Sequence, residues 1–133
     1  MCRLLGIVSS EPTEFRIILQ EAPRSLAALS REHRDGWGIA IFDPKHSQAE
    51  WRLYKAIACA AEDEEFRRLA GAAGEVMISH IRRRTVGAVS MANTHPFRSG
   101  RWVFAHNGTI HARIPAFEHV GTSTQRDEGQ HGQ

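Results

Sequence analysis

The sequence predicts an α+β domain, in which strands and helices come in clusters and not in a regular β-α-β alternation. Length and composition support a single globular domain: 133 residues, 41% hydrophobic and 24% charged. Five apolar runs have the length of strands and are closed by turn residues, and two or three segments have helical spacing. No apolar run approaches the roughly 18 residues of a membrane-spanning helix.

Leu4 to Val8 is a short apolar run closed by Ser9-Ser10 and reads as a buried strand. Glu11-Pro12-Thr13-Glu14 looks like a helix start, with Phe15, Ile18 and Leu19 on one face. Pro23 breaks that helix, and Leu26, Ala27 and Leu29 resume it as far as about His33. Asp35-Gly36-Trp37-Gly38 is a turn into a second strand, Ile39–Phe42, ended by Asp43-Pro44. Trp51 to Ala58 is strand-like, and Glu62 to Ala70 is a short helix that points Phe66 and Leu69 inward.

Gly71 to Gly74 closes that helix, and Glu75 to Ile81 is another strand. The seventeen residues from Arg82 to Arg98 have little periodicity and read as a functional loop. Arg101 to His106 is the last clear strand and ends at Asn107-Gly108. Residues 1–120 form the expected domain, and 121–133 form a polar tail expected to be disordered.

Seventeen basic and fifteen acidic residues leave a formal charge of +2, too balanced to argue for nucleic acid. Cys2 and Cys59 cannot build a disulfide framework, and no Cys/His cluster has metal-ligand spacing. The start lacks a signal-peptide pattern, so a reducing cytoplasm is the expected compartment.

Three places could carry chemistry. Removal of Met1 would put a free α-amine on the same residue as the Cys2 thiol. Such an amine titrates at about 7.7–8.0 in model peptides, so it can act as the base that activates its own nucleophile. The bland alternative is a small residue that happens to follow the initiator. Asn107-Gly108 is either a hairpin turn or an oxyanion hole made of a side-chain amide and a backbone N–H. Arg82-Arg83-Arg84 is either a solvated edge or a run in which one guanidinium forks onto a carboxylate. Alternation on a strand lets at most two of the three share a face.

Taken in order, these segments resemble the class II glutamine amidotransferases, which are N-terminal-nucleophile hydrolases. Met-Cys-Arg-Leu-Leu-Gly looks like the start of the small stand-alone branch, and Asp35-Gly36-Trp37-Gly38-Ile39-Ala40 resembles the glycine-aromatic segment. His80-Ile81-Arg82-Arg83-Arg84-Thr85-Val86-Gly87 is similar to the His-x-Arg-x-x-Thr-x-Gly motif. Asn93-Thr94-His95-Pro96-Phe97 and Phe104-Ala105-His106-Asn107-Gly108 complete the series, which spans residues 1–112. The resemblance implies Cys2 as nucleophile, Asn107 and Gly108 as oxyanion hole, and Arg82 with Thr85 around the glutamine α-carboxylate. Arg84 stands where a small residue is more usual. The downstream aspartate that binds the α-amino group falls on Asp127, within Thr122-Ser123-Thr124-Gln125-Arg126-Asp127-Glu128 and outside a clean motif.

The implied fold is a four-layer αββα sandwich, incomplete here at the C-terminus because family domains continue further. The implied reaction is hydrolysis of the glutamine side-chain amide through a γ-glutamyl thioester, with neither metal nor organic cofactor. Alternatives are a γ-glutamyl amide hydrolase and a non-catalytic amidotransferase-like binding module. Expected partners are the small-molecule substrate, a separate ammonia-accepting protein and further copies of the chain, with no nucleic acid or membrane.

Overall fold

A computed structural model describes residues 1–45 and 49–109. Its centre is an antiparallel sheet of order β1-β4-β2-β3. These strands are β1 (Arg3–Glu14), β2 (Trp37–Phe42), β3 (Trp51–Ala56) and β4 (Ala73–Ile81). β2 and β4 occupy the middle, and Ile39, Ala40, Ile41, Met77 and Ile81 are buried there. That burial accounts for their nearly continuous apolar sequence. Two short helices, α1 (Leu26–Ser30) and α2 (Glu64–Ala70), accompany the sheet. The α+β class therefore stands.

Register assigns the two faces. Trp37 pairs with Ile81, Ile39 with Ser79 and Ile41 with Met77, so these side chains share one face. On it they join Phe15, Leu19, Leu26, Phe66 and Leu69 in the core. Trp37 meets Phe66 edge-on at 5.2 Å between ring centroids, and its indole N–H donates to Asp63 Oδ2 at 2.8 Å. Asp63 also caps α2 by accepting from the Glu65 amide at 2.9 Å. Ser25 caps α1 through the Ala28 amide at 3.2 Å.

The opposite face carries Gly38, Ala40 and His80 and receives a hairpin of β5 (Phe97–Ser99) and β6 (Trp102–Phe104). The hairpin is tied to β3. Trp51 donates to the Arg101 carbonyl at 3.1 Å, and Arg98 donates to the Trp51 carbonyl at 3.0 Å. The described residues thus supply helices on one face of a four-stranded sheet and a two-stranded ribbon on the other. None of the described helices is long and apolar enough to cross a membrane.

Several local expectations are corrected. Glu11–Glu14 is the end of β1, not a helix start. The register shifts between Val8 and Thr13 on this edge strand, so Pro12 breaks no regular ladder. Ser9 and Thr13 hydroxyls both donate to the Glu11 carbonyl, at 2.8 and 2.9 Å, and steady the bulged segment. A π-helical turn over Ile17–Glu21 follows, and α1 stops at Ser30 instead of about His33. β3 ends at Ala56, and a 3₁₀ turn over Ala60–Glu62 precedes α2. The 82–98 loop contains a further 3₁₀ turn at Met91–Asn93 and ends in β5. The expected 121–133 tail lies outside the described residues.

Candidate active site

One end of the sheet gathers the chemistry. Arg3 pairs with Ile81 and Ile81 with Trp37. Residues just before β1, just after β4 and just before β2 therefore converge. Cys2 is the first of these and is half-buried. Its sulfur accepts from the Arg83 amide at 3.4 Å and lies 3.5 Å from the Arg83 carbonyl. Main-chain groups of the β4 exit thus hold the thiol in place.

The β4 exit is itself locked to the β2 entry. The Arg82 amide donates to the Gly36 carbonyl at 2.8 Å, and the Asp35 amide donates to the Arg82 carbonyl at 3.0 Å. The Asp35 carboxylate accepts from the Arg84 amide at 2.7 Å. Strand alternation places Arg82 in the interior, 5% exposed, and leaves Arg83 exposed. The Arg82 guanidinium donates to the carbonyls of Ala88 at 2.8 Å and Val86 at 3.1 Å. Asn93 donates to the same Ala88 carbonyl at 3.1 Å. The arginine therefore shapes the 82–90 loop as well as its own surroundings. Thr85 is exposed on that loop.

Asn107 arrives from the other side of the chain. Its amide N–H donates to the Cys2 main-chain carbonyl at 3.3 Å, across 105 residues of sequence. Its amide oxygen lies 3.2 Å from His80 Nε2. Gly108 follows at φ +110°, a region that favours glycine. The structure thus brings together Cys2, Asn107 and Gly108 at one end of the sheet, with Arg82 buried beside them. Asp127 lies outside the described residues.

The surroundings of His80 escape a reading of the sequence alone. The His80 and His95 rings stack at 4.4 Å with 20° between planes, and His106 meets His95 edge-on at 4.7 Å. The His106 amide donates to His95 Nδ1 at 3.2 Å. Burial pushes His80 down to about 4 and His95 to about 3, so both are neutral at neutral pH. In His80, hydrogen bonding to Asn107 opposes the shift, while the positive potentials of His106 and Arg82 add to it. Gly38 permits this packing: a methyl on it would lie 2.6 Å from Pro96 Cδ and 2.8 Å from the His95 carbonyl carbon. The available sequence signal is a histidine on the inward alternation of β4, opposite a glycine of β2.

Comparison with known proteins identifies the family. The family model for class II glutamine amidotransferases matches residues 1–125. A Haemophilus influenzae protein named "Putative glutamine amidotransferase" is 35% identical over 118 residues, covering 83% of this chain and 38% of the relative. The gamma-glutamyl-hercynylcysteine sulfoxide hydrolase of Mycobacterium tuberculosis is 30% identical over 128 residues, covering 87% and 53%. The glutamine–fructose-6-phosphate aminotransferase of Caulobacter vibrioides is 33% identical over 113 residues, covering 83% and 17%. The chain therefore spans between about a sixth and about a half of these relatives' lengths.

Proposed function

The chain belongs to the class II glutamine amidotransferases, and on that premise we propose that it hydrolyses the side-chain amide of glutamine with Cys2 as nucleophile. The observation that carries this reading is the Asn107 amide, held 3.3 Å from the Cys2 carbonyl at the end of the sheet. The residues proposed as nucleophile and oxyanion donor are thereby neighbours, although they lie at opposite ends of the motif series.

In the proposed reaction Met1 is removed and the Cys2 α-amine accepts the thiol proton. Sulfur attacks the amide carbon, and the C–N bond breaks as the amine's proton passes to the leaving nitrogen, giving ammonia and a γ-glutamyl thioester. Water adds to the thioester carbon, the C–S bond breaks, and glutamate leaves with the thiol restored. Asn107 and the Gly108 N–H hold the oxyanion in both steps, each donor contributing about 3–4 kcal/mol in comparable sites.

Arg82 and Thr85 form the proposed carboxylate pocket. A guanidinium has five N–H donors, so the two bonds to Val86 and Ala88 leave others for a ligand. Asp127 is the proposed partner of the substrate α-amine. Ammonia would pass to a separate acceptor protein. A second reading, a substituted γ-glutamyl amide as substrate, draws support from the name of the Mycobacterium tuberculosis relative.

The test is glutamate release from glutamine and from a panel of γ-glutamyl amides, by the natural protein and by Cys2→Ala. Loss of release in Cys2→Ala is expected, with the mass of the purified protein lacking Met1. Normal turnover by Cys2→Ala would end the proposal. Faster turnover of a substituted amide would favour the second reading. No turnover of any amide by the natural protein would favour a binding module.

A further inference from the structure

Beyond the nucleophile and its oxyanion donors, we propose that His80 is a positioning residue: it donates from Nε2 to the Asn107 amide oxygen and so keeps the Asn107 NH₂ turned toward Cys2. This inference rests on the reading of Asn107 as an oxyanion donor.

The argument begins from which group can donate. The Cys2 carbonyl can only accept, so the Asn107 atom 3.3 Å away is the NH₂. The Asn107 oxygen therefore faces His80, and an amide oxygen can only accept. The 3.2 Å contact then requires Nε2 of His80 to carry the proton. In a neutral ring this leaves Nδ1 as a bare acceptor, and Nδ1 is buried without a hydrogen-bond partner. An imidazolium would instead place an unsatisfied N–H there, a larger cost in a site 1% exposed. The neutral Nε2–H form is the one that fits.

The ring is also held mechanically. His80 sits on β4 between Leu4 of β1 and Gly38 of β2. His95 stacks on it and is braced in turn by Phe97 at 4.5 Å and by His106. The His106 amide bond to His95 anchors the main chain one residue before Asn107. Among the groups facing His80, burial outweighs the hydrogen bonding of Asn107 and of the His106 main chain, which favours protonation, and the charges of His106 and Arg82 act in the same direction as burial.

An Asn107 amide turned over would aim its oxygen at the Cys2 carbonyl and at a developing oxyanion, replacing attraction by repulsion. Removal of one oxyanion donor costs about 10²–10³ in kcat, and loss of its orientation approaches that range.

The experiment compares the full chain with His80→Phe and His80→Gln. Glutamine places an N–H close to that of Nε2, whereas phenylalanine keeps the ring without a donor. Expected is a fall in kcat of about 100-fold for His80→Phe, with KM within about twofold. His80→Gln should recover most of kcat. In parallel, ¹⁵N NMR of the natural protein should find His80 neutral and protonated on Nε2 at pH 7. An Nδ1–H or charged His80, or a folded His80→Phe with unchanged kcat, would overturn the proposal. So would a His80→Gln variant as slow as His80→Phe. The NMR arm needs no turnover, so a protein without glutaminase activity, which would defeat the functional reading, still decides this one.

Discussion

Replacing Gly38 by alanine should dismantle the site from a distance. Gly38 lies in the buried β2, and the His95-Pro96 main chain packs directly on it. A methyl at this position would sit 2.6 Å from Pro96 Cδ and 2.8 Å from the His95 carbonyl carbon. Ordinary carbon contacts lie at about 3.5–4.0 Å, so the segment must retreat by roughly 1 Å. Neither obstacle is a side chain that can rotate aside, because one is main chain and the other a proline ring. Forced overpacking of this kind costs about 1–3 kcal/mol, and the rigidity of the obstacle argues for the upper end. Reduced freedom of the unfolded chain returns about 0.4–1 kcal/mol. The clash wins, with a net loss of about 2 kcal/mol. Because the displaced segment carries His95, and His95 holds the chain before Asn107, glutamate release should fall as well. Urea unfolding measures the first effect, and steady-state glutaminase assay the second. A variant within 0.5 kcal/mol of the natural protein, judged against the usual scatter of surface substitutions, and with unchanged turnover would refute the packing argument.

Acid should weaken the fold through the histidine stack. The folded His80 titrates at about 4 against 6.5 unfolded, so its contribution is complete above pH 6.5 and is lost as pH falls toward 4. The full difference is about 3 kcal/mol. His95, pushed to about 3, extends the decline in the same direction, and a stability profile that stays flat between pH 7 and 4 would contradict both. Arg82→Lys keeps the charge but loses the fork, so KM for glutamine should rise at least tenfold with kcat little altered, while Arg83→Lys should change KM by less than about twofold. Equal small effects from both would move the carboxylate pocket elsewhere. Asp63→Ala removes the α2 cap and the Trp37 bond and should cost about 1–2 kcal/mol in thermal unfolding. Asp63→Asn, which keeps an acceptor, should cost less.

The legible and illegible parts of this chain differ by the range of the forces that set them. Ile39–Phe42 and Glu75–Ile81 could be read as strands because both are apolar beyond what one exposed face allows, and burial in the middle of a sheet requires that. Phe66 and Leu69 could be placed inward because helical spacing alone puts them on one face. Glu11-Pro12-Thr13-Glu14 misled because its capping residues are equally good at a bulge of an edge strand. Pairing of Thr13 with Gly74 and of Glu14 with Ala73, about sixty residues away, decides the matter. β5 has three residues, too few for any period to register.

The site divides in the same way. Motif order singled out Cys2, Arg82 and Asn107, and the antiparallel register explains why such separated segments belong together: the start of β1, the exit of β4 and the entry of β2 are neighbours. Register cannot, however, determine which way an amide faces or which nitrogen of an imidazole holds its proton. Those follow from the chain Cys2 carbonyl, Asn107 amide, His80 ring and His95 ring, in which each member fixes the next. A motif can preserve the identities of such residues, but it carries no sign of the direction of their hydrogen bonds. The glycine that admits the last member, Gly38, stands in a strand where glycine is otherwise unfavourable, and close backbone approach is what makes it necessary.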